Sequence, residues 1–447
     1  MILDTVLSIL IVSYYFPPDG AVGAKRMARF CQYLPEFGIR PIVLTIDQAS
    51  CETIDPSLES PGHVQIERVR PRTTFLEWYR RRSERRVVLQ KVRLGGSNFG
   101  TVDSELQFGL RRHFFAFLQL PDMQRGWYRP AINAAARIVT NSHVDALLSS
   151  GPPWTAHAVG HTIARRFNVP WIADFRDQWA SDPWRRYSHN SQGSPAWRDK
   201  LDLWIEDRWV RHAGLVICAT NHQRESLLRA HSNLGGNRVV VIQNGYDRRP
   251  ENCSSRTNSK SEQRVFLHAG NLYGGRRIAV FCRAIASLVR DGKLSADNAM
   301  FSLMGEVAPD IEREARNSTP ELFDSGMIAF HARVDWKRAR QRLEQADVLL
   351  IFQGDHPTAI PAKFYEYLQT GKPILALVGN GALGEIVLRT RSGIVVDPND
   401  QNGIATAIEQ VLRAQPRTRQ EAELSARQFD FRNLTAELAA NVRALVR

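Results

Sequence analysis

Cysteine is scarce in this 447-residue sequence, and the five cysteines that it contains lie far apart. They are Cys31, Cys51, Cys218, Cys253 and Cys282, and no two of them form a C-x-x-C pair. This spacing gives no support to a zinc site or to a thioredoxin-like redox motif. An odd and sparse set is typical of reduced thiols in the cytosol.

Long apolar runs and targeting signals are absent as well. No stretch approaches the roughly 18 consecutive apolar residues of a membrane-spanning helix, so we expect none. Residues 1–12 are interrupted by Asp4 and lack both a basic start and a small-residue cleavage site, so we expect no secretory signal. Both observations favour a cytoplasmic protein.

The motifs of several common enzyme classes are missing too. The sequence has no H-E-x-x-H, no G-x-S-x-G and no Walker-type phosphate loop. It also lacks D-x-D. That absence argues against a nucleotide-sugar enzyme of the metal-dependent type, but not against a metal-independent one.

Acidic residues are outnumbered, and the imbalance is local. The chain has 59 Lys and Arg against 46 Asp and Glu, a net charge of +13. Residues 68–93 alone hold ten basic and two acidic residues, which is +8 of that total. The basic segment therefore predicts an anionic partner, whether nucleic acid, a phosphate-bearing substrate or an anionic membrane.

What is present is an alternation of short apolar runs and amphipathic helical patterns. The hydrophobic fraction of 43% is sufficient for packed cores. The alternation runs through residues 6–242, stops at the polar residues 251–263, and resumes through residues 265–412. Two successive series of β-α-β units predict an α/β protein with two parallel, doubly wound sheets. Residues 418–447 read as helices without a strand behind them.

Ligands of doubly wound sheets bind at the carboxyl ends of the strands, so the residues that follow strands are the first candidates. Gly20 and Gly23 follow the first predicted strand and can let the backbone approach an anion at a helix start, beside Lys25 and Arg26. The alternative is a tight turn and cap.

The second group of candidates follows two later strands of the first series. A neutral imidazole at His157 can position or polarise a substrate hydroxyl. Asp174 and Asp177 can bind sugar hydroxyls or act as a base, and Arg176 can hold a carboxylate in place beside Trp179. The alternatives are a structural histidine and an Arg–Asp brace for the loop.

The third group belongs to the second series. Gly270 and Arg276 lie in a glycine-rich strand-to-helix loop that suits a diphosphate. Lys363 lies in the first turn of a short helix, facing a phosphate, and Glu366 lies three residues later, where its carboxylate can accept both hydroxyls of a ribose. The alternatives are a solvated turn and a Lys363–Glu366 surface pair.

Together these segments resemble a retaining glycosyltransferase of the GT-B fold, in the bacterial group-1 (family four) transferases. The resemblance spans residues 8–397. The motifs that carry it are Pro17-Pro-Asp19, Ser150-Gly-Pro-Pro153, Asp174-Phe-Arg-Asp177-x-Trp179, Ile242-x-Asn-Gly-Tyr-Asp247, Gly270-x-Leu-Tyr-Gly-Gly-Arg276 and Pro361-x-Lys-Phe-Tyr-Glu-Tyr-Leu368.

The resemblance implies two Rossmann-like domains that face each other across a cleft. Residues 1–245 would bind the acceptor and carry a basic and aromatic insertion at residues 68–130. Residues 246–417 would bind the nucleotide-sugar. Residues 418–447 would pack back on the N-terminal domain.

The implied activity is transfer of a hexosyl or N-acetylhexosaminyl group from a nucleotide-sugar to an acceptor hydroxyl with retention, without a metal or a further cofactor. The implied donor-binding residues are Gly20, Gly23, Gly270, Arg276, Lys363 and Glu366. The implied catalytic residues are His157, Asp174 and Asp177, with Arg176 and Trp179 on the acceptor. One departure is clear: the family often has a glutamate eight positions before the second one, and here Thr358 stands there, with Asp355 and His356 as substitutes.

Two other interpretations stay open at this point. A nucleotide-sugar 2-epimerase shares the two-domain fold. A degenerate transferase fold could bind nucleic acid instead, with Phe75, Trp78 and Tyr79 stacking on bases. The basic segment with the aromatic residues 108–128 favours an anionic membrane over nucleic acid. We therefore expect a protein at the inner face of the cell membrane, acting on a lipid-linked or surface-polysaccharide intermediate; a solvated insertion is the alternative.

Overall fold

The computed structural model describes residues 6–51, 53–79, 82, 110–183, 185, 195–247, 263–354, 356–414 and 417–447. In this part of the chain the strands form two parallel sheets, one after the other along the sequence. This confirms the predicted pair of doubly wound sheets. None of the helices in these ranges is long and apolar enough to cross a membrane.

The N-terminal sheet has seven described strands in the order β3-β2-β1-β4-β5-β6-β7. Their bounds are β1 Leu7–Ser13, β2 Ile39–Ile46, β3 Gln65–Val69, β4 Ala146–Gly151, β5 Trp171–Phe175, β6 Leu215–Cys218 and β7 Val239–Val241. The helices on its two faces are α1 Val22–Tyr33, α2 Leu110–Leu118, α3 Tyr128–Asn141, α4 Thr155–Phe167, α5 Ala196–His212 and α6 Asn221–Ala230. The buried strands are almost entirely apolar because helices cover both faces.

The C-terminal sheet has six strands in the order β10-β9-β8-β11-β12-β13. Their bounds are β8 Arg264–Ala269, β9 Ala299–Met304, β10 Ile328–His331, β11 Val348–Phe352, β12 Ile374–Leu377 and β13 Gly393–Val396. The helices around this sheet are α7 Ala279–Arg290, α8 Pro309–Ser318, α9 Pro320–Asp324, α10 Trp336–Gln345, α11 Ala362–Leu368, α12 Ala382–Arg389 and α13 Gln401–Arg413.

The last two helices, α14 Arg419–Ala426 and α15 Phe431–Val446, leave the C-terminal sheet. Helix α15 packs on α1, where the rings of Phe431 and Phe30 meet edge to face at 5.8 Å. Its apolar side, from Phe431 to Val442, belongs to the core on one face of the N-terminal sheet. Arg443 donates a hydrogen bond to the carbonyl of Phe37 at 2.7 Å. The boundaries at residues 245 and 417 stay predictions.

The proposed insertion at residues 68–130 is described only in part. Strand β3 begins before the insertion and ends inside it. Trp127, near the end of the insertion, is completely buried in the core. Most of the basic residues from 80 to 93 lie outside the described residues. The bounds of the insertion also stay a prediction.

Candidate functional site

The predicted site residues lie on the loops at the carboxyl ends of the strands in both sheets. Because parallel strands of one sheet end at the same edge, the loop after β1 meets the loop after β5. The loop after β8 and helix α11 hold the predicted donor residues at the corresponding edge of the second sheet. Contacts between these loops decide what each side chain can do.

Asp174, at the end of β5, is completely buried and its oxygens are occupied. Arg26 binds both of them, with its Nη2 2.8 Å from Oδ1 and its Nε 3.2 Å from Oδ2. Ser150 donates a further hydrogen bond to Oδ2 at 2.7 Å. Arg26, assigned to an anion-binding loop from the sequence, is thus a buried partner of Asp174. This geometry favours a positioning role for Asp174, and its catalytic role stays a prediction.

Gly23 faces Arg176, which explains why this position needs a glycine. A Cβ there would overlap the guanidinium of Arg176. Arg176 is nearly buried and donates to the carbonyl of Pro152 at 2.8 Å. Asp177 is different because 57% of its side chain is exposed, and one of its oxygens lies 3.7 Å from Nε of Arg176. Of the three predicted catalytic side chains, only Asp177 reaches solvent.

His157 is completely buried among aromatic rings, with the ring of Phe175 at 4.6 Å. Its Nδ1 lies 2.8 Å from Oγ of Ser149, and among the described residues its Nε2 has no hydrogen-bond partner. Burial lowers the pKa of His157 to about 3, so the imidazole is neutral at physiological pH. Trp179 is also buried and stacks on Trp154 and Trp209 rather than facing the cleft.

The loop that follows Trp179 is held by a buried ionic cluster. Glu206 accepts hydrogen bonds from the backbone N–H of Ala180 at 2.8 Å and of Ser181 at 3.0 Å. His231 lies between two carboxylates, 2.9 Å from Glu206 and 3.1 Å from Asp207. Burial alone would lower the pKa of His231, but the hydrogen bonds and charges of Glu206 and Asp207 outweigh it and raise the pKa.

This cluster predicts a pH-dependent stability. A raised pKa means that His231 stabilises the folded state fully below its ordinary pKa of about 6.5, and that this stabilisation is lost as the pH rises through the folded-state pKa. The difference in free energy of unfolding between the wild type and His231→Gln should therefore be largest at pH 6 and shrink towards pH 9. Denaturant unfolding at each pH measures it. The control is His143→Gln, whose ring is exposed; a difference that is constant over this range would contradict the assignment.

Lys363 points from α11 to the end of β8. Its Nζ lies 3.2 Å from Nε2 of His268, whose Nδ1 donates to the carbonyl of Leu350 at 2.9 Å. Gly270 has a φ of +146°, and a Cβ there would lie 2.8 Å from Nζ of Lys363. Burial and the charge of Arg276 both lower the pKa of Lys363 well below its ordinary value. An anion bound beside Lys363 and Arg276 would offset this effect and favour the charged form of Lys363.

Arg276 lies on the loop after β8, over the ring of Tyr273. Its guanidinium carbon is 4.4 Å from the ring centroid, and its Nη1 donates to the carbonyl of Asn271 at 3.0 Å. The hydrogen bond to Asn271 uses one of its five N–H groups, and a planar fork of N–H donors suits a phosphate. The neighbouring Arg277 turns away and pairs with Glu314 on the surface.

Glu366 pairs across the cleft rather than with Lys363. Its Oε1 lies 3.1 Å from Nζ of Lys25, in the first turn of α1, and 3.3 Å from Nε1 of Trp336, at the start of α10. The carbonyl of Gly20, in the loop before α1, accepts a hydrogen bond from Arg333 at 3.1 Å. The contact with Arg333 therefore brings Gly20 to the C-terminal half of the protein. The surface pair of Lys363 and Glu366 that the sequence suggested as an alternative does not form, because Glu366 binds Lys25 and Lys363 contacts His268.

Thr358, at the position of the missing glutamate, is nearly buried. Its carbonyl accepts a hydrogen bond from Thr220 Oγ1 at 2.6 Å, another contact between the two halves. His356 is exposed, and Asp355 lies outside the described residues. In the described ranges no group of His, Cys, Asp and Glu is arranged to hold a metal ion.

Sequence reasoning missed the roles of Lys25, Arg26, His268 and Trp336. His268 was visible as the last polar residue of a buried strand before a glycine loop. Trp336 follows Asp335, whose side chain caps α10 by accepting from the N–H of Arg338, and a helix start after a strand end could have indicated it.

A protein-family model matches the second half of the chain. Residues 263–414, about a third of the chain, match the family model described as "Glycosyl transferases group 1". An alpha-maltose-1-phosphate synthase of Mycobacterium tuberculosis is 25% identical over 134 residues, which is 30% of this chain and 33% of that protein. The chain thus spans about a third of the length of the curated relatives that it matches.

Similarity to solved structures extends over nearly the whole chain. Anabaena HepE, crystallised with UDP and glucose, is 16% identical with a TM-score of 0.61, and the match covers 98% of this chain and 100% of HepE. WaaG, a glycosyltransferase involved in lipopolysaccharide biosynthesis, is 14% identical with a TM-score of 0.56 over 98% of this chain and 99% of WaaG. At these identities the likeness establishes the fold, which is GT-B.

Proposed function

We propose that this protein is a retaining glycosyltransferase, because residues 263–414 match the family model of the group 1 glycosyl transferases. It moves a hexosyl or N-acetylhexosaminyl group from a nucleotide-sugar to an acceptor hydroxyl. The observation that carries the proposal is the pair of basic side chains, Arg276 and Lys363, at the carboxyl edge of the C-terminal sheet. HepE, of the same fold, was crystallised with UDP and glucose, which supports a nucleotide-sugar donor here.

In this proposal the negative charge of the donor's diphosphate is matched by basic residues of the C-terminal half. Arg276 and Lys363 hold the diphosphate, and Gly270 lets the backbone of its loop approach the phosphates. Glu366 accepts hydrogen bonds from the ribose. No metal or separate cofactor is assigned, because the two cations supply the positive charge that the leaving diphosphate needs.

The chemistry then needs one bond broken and one formed. The bond between the anomeric carbon and the diphosphate oxygen breaks, and its electron pair leaves with the diphosphate, stabilised by Arg276 and Lys363. The acceptor oxygen bonds to the anomeric carbon on the same face, so the configuration is retained. The proton of the acceptor hydroxyl passes to the departing phosphate oxygen, which requires no buried carboxylate as base.

The acceptor lies against the N-terminal loops in this proposal. Asp177 reaches solvent and can bind an acceptor hydroxyl, with Arg176 behind it. Asp174, His157 and Trp179 are buried, so they support the loop walls rather than contact the acceptor.

A donor panel tests the proposal. The purified protein is incubated with UDP-, GDP-, ADP- and dTDP-sugars, and binding is measured as a rise in the unfolding temperature. Transfer is then measured with candidate acceptors, while a donor-only incubation detects an epimer. Binding with transfer supports the proposal. An epimer without acceptor, or salt-dependent oligonucleotide binding without nucleotide-sugar binding, would replace it with one of the two alternatives.

We also propose that the acceptor is lipid-linked and that the protein docks on the cytoplasmic face of the cell membrane. The side chains of Phe75, Trp78, Phe114 and Phe117 are about half exposed, which is unusual for four large apolar residues of one region. Tyr79 joins the two short segments through its contact with Phe115 at 5.3 Å. In the sequence, Phe75 and Trp78 lie within the basic residues 68–93, and such a combination suits an anionic membrane.

Charge reversal of the basic segment tests the membrane proposal. Each Lys or Arg near an anionic surface contributes about 1 kcal/mol, so changing Arg80, Arg81 and Arg82 to Glu should lower binding to vesicles of anionic phospholipid by at least a hundredfold. Vesicle sedimentation measures the binding, and vesicles of neutral lipid are the control. Unchanged binding to anionic vesicles would refute the proposal.

A further inference from the structure

Lys25 and Glu366 form an ion pair between the first turn of α1 and helix α11. Nζ of Lys25 lies 3.1 Å from Oε1 of Glu366, and the two side chains are 31% and 27% exposed. The same amine lies 5.0 Å from the ring centroid of Trp336, whose indole N–H points to the same oxygen of Glu366 at 3.3 Å. One carboxylate oxygen thus receives two donors, one from each half of the protein.

Neighbouring contacts hold the two halves together at the same place. The backbone N–H of Trp336 lies 3.4 Å from Oδ2 of Asp55, and Arg333 donates to the carbonyl of Gly20 at 3.1 Å. Lys25 also contributes to the lowered pKa of Asp55 by its charge, although the hydrogen bonds from Ser57 contribute more. The ion pair that Lys25 forms across the cleft is with Glu366.

This arrangement conflicts with the ribose role of Glu366. A ribose binds a carboxylate in the bidentate manner with one hydroxyl on each oxygen, and each oxygen has two lone-pair sites. Oε1 already accepts from Lys25 and Trp336. A ribose that spans both oxygens therefore displaces one of these two donors, and Lys25 has the partly exposed side chain.

We propose that Lys25 is a latch that competes with the donor's ribose for Glu366. The inference rests on the proposed function. Binding of a nucleotide and release of the Lys25–Glu366 contact are then one equilibrium, and a ligand shifts it only by its preference for the released state. The first turn of α1, which carries Lys25, is then released from helix α11 when the nucleotide binds.

The test compares nucleotide affinity in the wild type and in Lys25→Met, which keeps the aliphatic stem. UDP, GDP, ADP and dTDP are the probes, measured by calorimetry. The variant should bind its preferred nucleotide about twofold to tenfold more tightly, the range expected for a half-exposed ion pair with a cation–π contact. The gain should shrink in high salt, because salt screens the pair that the wild type must break.

Two further variants keep the test decisive. Lys25→Arg retains the charge and should bind like the wild type. Arg333→Met removes the contact to Gly20 without touching Glu366, and should leave affinity within twofold. Fluorescence transfer between dyes on the two halves, without nucleotide, should show a longer mean distance in Lys25→Met than in the wild type.

Each remaining outcome has one meaning. Equal or weaker nucleotide binding by Lys25→Met, with wild-type distances between the dyes, overturns the latch while the proposed function stands. If none of the four nucleotides binds to the wild type or to any variant, the proposed function itself is contradicted. The proposed competition between Lys25 and the ribose is then contradicted as well.

Discussion

Arg276→Ala should slow sugar transfer by a hundredfold or more, a loss on the order of 3 kcal/mol in the transition state. The guanidinium lies over the ring of Tyr273 and beside Lys363, where the proposed mechanism has negative charge develop on the leaving diphosphate. Since this charge is larger in the transition state than in the bound donor, kcat should fall more than KM rises. Steady-state kinetics with the donor identified by the panel measures both.

The adjacent arginine provides the matched control for this prediction. Arg277 pairs with Glu314 and is largely exposed, so Arg277→Ala removes the same charge without touching the diphosphate site. Its turnover should stay within about threefold of the wild type. Normal turnover in Arg276→Ala would refute the donor assignment, and equal losses in both variants would indicate a general electrostatic effect instead.

Arg26→Met should be the most destabilising single change among the residues discussed. It leaves the carboxylate of Asp174 completely buried with Ser150 as its partner, and breaking a buried ion pair in this way costs about 3–5 kcal/mol of the free energy of unfolding. It also removes the hydrogen bonds to the carbonyls of Ile242 and Gln243, which lead out of the N-terminal sheet. Denaturant unfolding followed by tryptophan fluorescence measures the loss.

An exposed arginine of the same sheet is the control for Arg26. Arg40 lies on β2 with an exposed side chain, and Arg40→Met should change the free energy of unfolding by less than about 0.5 kcal/mol. The result that would contradict the positioning role of Asp174 is a fully stable Arg26→Met protein without transfer activity. That outcome would favour a catalytic role for Asp174 over a positioning role.

The strand-end rule predicts which loops of each sheet lie at the same edge. It selected the loops after β1, β5 and β8 because all strands of a parallel sheet end at one edge. The rule does not predict which side chains form hydrogen bonds or ion pairs with one another. Lys363 and Glu366 are close in sequence and suggested a pair, yet Glu366 binds Lys25, which lies 341 positions away. Such pairing depends on how the two sheets pack, and no local pattern encodes it.

The elements that were missed are short, polar or both. Helices α8 and α9 were not predicted because their apolar faces are narrow, although Pro309 and Pro320 at their first turns are typical helix starts. Helix α6 was not predicted for the same reason. Its start is marked by the N-cap Thr220, whose side chain accepts a hydrogen bond from the N–H of Gln223. Strand β3 is an edge strand that carries Glu67 and Arg68, so it lacked the apolar run of the buried strands.

Helix α15 has a consequence for the order in which this protein can fold during synthesis. Its residues Leu434, Leu438 and Val442 complete the core on the face of the N-terminal sheet that α1 covers. The ribosome adds them after the whole second sheet. The first half of the chain must therefore wait, with apolar surface exposed, for a segment made some 190 residues later. A chaperone has its longest opportunity on that face, even though the strands of the first sheet are the first to be made.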